Sequence, residues 1–210
     1  RTACLEAVEE LEQVEADLRL LDVLLGEAWA HHLAVDGTLL GLPDTHRREM
    51  AMAILDEAVT VSDRLGLTVQ HMAASGQPVT LASARWRMRR GVACAAYGLL
   101  HGDYIKLREA ADLLADALAD GADATGRLRR LLVSVHQALG EDVAALSLLK
   151  ASHLVSDPVE QTAMEILEWG LLRDPDWPAA PVAHVSQSEA SWQVQLIAEA
   201  GLAQSRISDH

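Results

Sequence analysis

The sequence predicts an all-α protein of about eight helices in antiparallel hairpins, stacked side by side or closed into a bundle. Three observations carry this. Helix formers dominate the 210 residues, there is no Phe, and only two tyrosines occur. Apolar residues recur at three- and four-residue steps rather than in alternation. Glycine, proline and capping residues punctuate the chain at helix-hairpin intervals. Half of the residues are hydrophobic and 23% are charged, which fits a folded chain with a core.

The first helix is expected over residues 3–35, where Cys4, Val8, Leu11, Val14, Leu18, Leu21, Leu25 and Ala28 form one stripe. Its first half also carries Glu6, Glu9, Glu10, Glu12, Glu15 and Asp17, and reads as solvated or partner-facing. The stripe of residues 4–18 is heptad-like and predicts a homodimer through this N-terminal helix. After the breaker "DGTLLGLPD", Asp44 caps a second helix, with Gly66 as its stop and a loop through "LTVQHMAASGQPV". A third helix is expected over 81–100, a fourth over 104–119, a fifth over 125–139 and a sixth over 141–155. "SDPVE" opens a seventh, with Asp157 as cap, Pro158 at the first helical position and Glu160 at the third. Residues 1–172 then form the helical domain. A Pro-rich strap spans 173–188, and a C-terminal helix over 189–205 packs back on that domain.

The local run "CAAYGLLHGDYIKLREAADLLADAL", residues 94–118, resembles a tetratricopeptide-type hairpin through Tyr97, Gly102, Asp103, Tyr104 and "ADAL" at 115–118. Leu107 stands where that family has alanine. The resemblance implies a right-handed stack of hairpins with a groove for a peptide or partner helix, hence a non-enzymatic scaffold for protein–protein interaction within a larger regulatory or signalling protein.

The charge balance narrows the partners. A net charge of -14 opposes nucleic-acid binding, which needs clustered cations in a favourable field. No run of 18 apolar residues suggests a membrane span. Two distant cysteines, Cys4 and Cys94, fit a reducing cytoplasmic setting better than a disulfide framework.

Arginine outnumbers lysine 15 to 2, and "ARWRMRRG" concentrates four arginines at 85, 87, 89 and 90. At 100° per residue, with Arg85 at zero, Arg89 falls near about 40°, Arg90 about 140° and Arg87 about 200°. Trp86, Arg90, Ala93 and Tyr97 share a sector of about 80–140°, while Ala84, Met88, Val92, Ala95 and Leu99 form the expected core stripe. Rows of Trp, Arg and Tyr are enriched at protein interfaces. The candidate partner-binding residues are therefore Trp86, Arg90 and Tyr97, with Arg87 and Tyr104. The competing expectation is that this row packs inside the chain and the arginines pair with Asp103, Glu109, Asp112 and Asp116.

A second reading places a small-molecule site at the apolar end of the first helix, lined by Trp29, His31 and His32, as in a ligand-sensing regulator or an enzyme. Glu27 and His31 share a face, but a metal would need two further ligands from other helices. No Gly-x-Ser-x-Gly elbow and no phosphate loop occur, so neither a catalytic residue nor a cofactor or metal is assigned.

Overall fold

A computed structural model describes residues 2–36, 45–121, 126–151 and the single positions Gln161 and Met164, with side chains from Val8 to Ala28 and from Glu49 onward within those ranges. Six helices are delimited among the described residues: α1 (Thr2–Asp36), α2 (Thr45–Ala74), α3 (Thr80–His101), α4 (Tyr104–Ala119), α5 (Arg127–Ala138) and α6 (Asp142–Leu149). There is no strand among the described residues, so the all-α expectation holds. No helix among them is long and apolar enough to cross a membrane. Of the expected seventh helix only Gln161 and Met164 are described, and both are helical; the eighth helix, the proline strap and the boundary at 172 lie outside the described residues. The chain divides into two compact units, Arg1–Asp120 and Gly121–His210. The division falls on the breaker "DGADATG".

Within the first unit, α1 and α2 run antiparallel. Val14 and Leu18 of α1 meet Leu65, Val69 and Met72 of α2, and one end further along Leu21 and Leu24 meet Ala58 and Val61. The α1 stripe is thus used in part. Val14, Leu18, Leu21 and Ala28 are buried, whereas Val8 and Leu11 are exposed, and Leu24 joins the core from beside the stripe.

The second helix departs from expectation. It continues through Gly66 to Ala74, and the loop shortens to residues 75–79. A glycine stops a helix only when the backbone turns there; Gly66 instead makes room for a neighbour. A Cβ at this position would stand 2.6 Å from Cζ2 of Trp86. The glycine serves the α2–α3 approach, and residues 67–74 supply the buried Val69 and Met72.

The α3–α4 turn follows the local chemistry of its sequence. Gly102 takes φ 72°, and both its N–H and that of Asp103 donate to the Gly98 carbonyl, closing α3. The Asp103 carboxylate then accepts from the N–H groups of Ile105 and Lys106 at 2.9 and 3.1 Å, opening α4. The "GDY" element of the hairpin is therefore a stop, a cap and a first helical residue in succession. The hairpins are unequal: α1 and α2 span 35 and 30 residues, α3 and α4 only 22 and 16.

In the second unit, α5 and α6 form a shorter hairpin with Val133, Ala145, Leu149 and Met164 at its core. The sixth helix ends at Leu149, before the expected 155. His136 Nδ1 lies 2.7 Å from the Glu141 carboxylate across the turn, so this histidine has a local partner.

Candidate functional site

The third helix is the middle element of the first unit, and its faces sort by neighbour. Arg85 and Arg89 face α1: Arg85 pairs with Glu15, and Arg89 makes a two-pronged contact with Asp22 at 2.6 and 2.7 Å. Trp86, Arg90 and Ala93 face α2. Gly91, Cys94 and Gly98 face α4. The row expected to be the core stripe is only partly so. Leu99 is 40% exposed, and the fully enclosed positions are Gly91, Ala93, Cys94, Ala95 and Gly98. A helix with neighbours on three sides buries small residues all round, and its larger apolar ones are left at the edges.

Trp86 is an anchor of this arrangement. Its ring packs on the Val14, Leu18, Leu65, Val69 and Met72 cluster, and its indole N–H donates to the Ser62 carbonyl at 2.9 Å. That bond satisfies the one polar atom of a largely apolar side chain. The Arg90 guanidinium sits 5.9 Å from the Trp86 ring centroid, within cation–π range. It also pairs with Asp63 of α2 and, at 2.5 Å, with Glu109 of α4. Only 14% of the Arg90 side chain is exposed. One side chain therefore ties three helices together.

Electrostatics reinforce the tie. Burial alone would disfavour the charged form of Glu109, but hydrogen bonds from Lys106 and Arg90 outweigh it and hold the carboxyl below its ordinary range. Burial also works against the Arg90 cation, and contacts with Asp63 and Glu109 more than offset it. Beneath them Cys94 is buried. Desolvation first, and the Glu109 charge second, push its thiol up to about 12, so it is unreactive as a nucleophile.

Of the acids expected to meet the arginines, Glu109 does so and Asp103 caps α4. The other partners come from helices earlier in the chain, Glu15 and Asp22 of α1 and Asp63 of α2. A further one was not foreseen. Asp17, which the sequence places on the solvated half of α1, is 3% exposed. It accepts from Arg64 at 2.7 and 3.1 Å and from Gln13 at 3.0 Å. No local pattern marks this carboxylate, because its partner lies 47 residues away on α2.

The remaining candidates divide. Tyr97 is half-buried and stacks on His101 with ring centroids 4.0 Å apart. Partial burial and the nearby Asp56 carboxylate raise the Tyr97 hydroxyl pKa. Arg87 is half-buried and has no ion-pair partner among the described residues. Tyr104 is 67% exposed and Ile105 80%, at the start of α4. Thus the structure brings Trp86 and Arg90 together, as the sequence row implied, but seats them between helices. It leaves Tyr104 outward. Trp29, His31 and His32 lie on the last turns of α1, and their side chains fall outside the described residues. No group of three His, Cys, Asp or Glu side chains among the described residues is placed to hold a metal ion.

The sequence matches no protein-family model, and neither a curated protein nor a solved structure is similar to it.

Proposed function

We propose that the chain is a non-enzymatic helical scaffold that mediates protein–protein interaction, as one part of a larger regulatory or signalling protein. The observation that carries this reading is the pair Tyr104–Ile105. Two large side chains stand mostly in water, immediately after a turn fixed by the Gly102 closure and the Asp103 cap. Presented on a capped helix start, they lose little freedom on binding, which suits an aromatic–aliphatic contact pair. Arg90 and Trp86 act behind them by joining α2, α3 and α4, and so set the orientation of the α3–α4 hairpin. The tetratricopeptide-like pattern of residues 94–118 supports the same reading.

The test is capture of a partner from the native host by the chain and by a Tyr104→Ala/Ile105→Ser variant. Loss of capture with unchanged helical circular dichroism supports the proposal. Equal capture by both removes this surface from it. A stoichiometric metal by elemental analysis, or a saturable thermal shift with a metabolite, favours a ligand-binding bundle and overturns the scaffold reading.

A further inference from the structure

The outward face of α1 is a charge palindrome. Val8 and Val23 are 48% and 56% exposed, Leu11 and Leu20 are 42% and 38% exposed, and Glu12, Ala16 and Arg19 are also exposed. Each of these positions has a counterpart at equal distance from the point between Glu15 and Ala16. Val8 mirrors Val23, Leu11 mirrors Leu20, and Glu12 mirrors Arg19. On a helix Val8, Glu12, Arg19 and Val23 fall within about 60° of one another, so they form one row about 22 Å long.

The charges of this row differ from the paired arginines of the same unit. Arg64, Arg85, Arg89 and Arg90 all reach acids within the chain. Glu12 and Arg19 have no ion-pair partner among the described residues, and at seven residues apart on one helix they cannot pair with each other. A shallow surface depression borders Leu11, Glu12, Glu15, Ala16 and Arg19.

We infer that this face pairs with the same face of a second copy, antiparallel, about a two-fold axis passing between Glu15 and Ala16. A two-fold contact requires a self-complementary patch, and the palindrome provides one. Each Glu12 meets the other copy's Arg19, each Val8 meets a Val23, and Leu11 and Leu20 close the flanks. Ala16 lets the helices approach at the axis. Glu15 is drawn aside by Arg85, and Asp22, which would oppose Glu9, is neutralised by Arg89. A parallel pair would set Glu12 against Glu12 and Arg19 against Arg19, so charge selects the antiparallel arrangement. The heptad-like row through Val14 and Leu18, which the sequence offers for pairing, is already consumed by α2. The self-contact keeps Val8 and Leu11, the exposed members of that stripe, and otherwise uses the outward side of the same helix. A single helix pair is a small interface, so the dimer is concentration-dependent.

The experiment is sedimentation equilibrium on the whole chain over a wide concentration range. The expected mass rises from 22.7 kDa toward twice that value. Glu12→Arg or Arg19→Glu alone replaces two attractions with two repulsions and weakens association at least about tenfold. The double variant, Glu12→Arg with Arg19→Glu, restores it, because the palindrome is only inverted. In a background lacking both native cysteines, Ala16→Cys forms a disulfide-linked dimer under oxidation. A wild-type chain that stays monomeric at every concentration overturns the inference. So does a dimer indifferent to the single swaps, which would use another surface. A monomer in which Ala16→Cys is shielded from thiol reagents would mean that this chain covers the face itself, and also overturns it.

Discussion

The two seams that hold α3 are built on opposite principles. Toward α4 the close approach is made by small residues, with the Arg90–Glu109 ion pair at its edge. Cβ atoms placed on Gly98 and Gly91 would lie 2.7 Å and 3.1 Å from Leu107 and Leu114. Toward α1 and α2 the contact is made by long side chains: Trp86 in its cluster, and Arg85, Arg89 and Arg90 reaching acids on neighbouring helices. A seam of glycine and alanine depends first on volume. A seam of arginine and carboxylate tolerates changes in size and responds to charge and pH. One helix can therefore be fixed rigidly to one neighbour and adjustably to two others.

The largest expected effect breaks the tight seam. Gly98→Val drives a branched side chain into Leu107 and its backbone nitrogen, and costs about 3 kcal/mol or more. Urea unfolding followed by circular dichroism should show a clearly lowered midpoint. An unchanged midpoint would mean that the helices part easily, and the contrast between the seams would collapse.

A smaller effect separates the two ends of one ion pair. Arg64→Ala leaves the buried Asp17 carboxylate with Gln13 as its remaining partner, and costs about 2–3 kcal/mol. Asp17→Asn instead removes the buried charge and frees an arginine that is already 54% exposed, so it costs less, about 1 kcal/mol. The order of the two midpoints is the measurement; the reverse order would show that water reaches Asp17.

The smallest effect is a slope. The folded-state pKa of Glu109 lies below its ordinary value, so its contribution is complete above that value and is lost as pH falls through the lowered one. Glu109→Gln should flatten the loss of stability with acid below about pH 4.5. At neutral pH the same variant loses only the charge-assisted part of the Arg90 and Lys106 contacts. Parallel acid limbs for the variant and the parent would remove Glu109 from the network.

What could be read beforehand follows from the range of the forces involved. The ends of α4 are set within a few residues, by Gly102 and Asp103 on one side and the glycine-rich breaker on the other, and the sequence shows them. The ends of α2 are not, because Gly66 has the same local signature whether it ends a helix or receives a tryptophan from 20 residues away. The row Trp86–Arg90–Ala93–Tyr97 was legible as a row. Which helix it meets depends on the register of α2 against α3, and that register is fixed by the whole core. Asp17 is the sharpest case. Its neighbours one helical turn away, Gln13, Val14, Leu20 and Leu21, include no cation, and only the antiparallel pairing of α1 with α2 gives it Arg64.

The sealed thiol of Cys94 gives the fold an internal clock. A group that ionises only near pH 12 and lies 1% exposed meets a reagent only when the α3–α4 seam opens. With Cys4 replaced by serine, the rate at which Cys94 is labelled in the native state becomes a count of those openings, taken without denaturant and at the seam where glycines bring two helices closest.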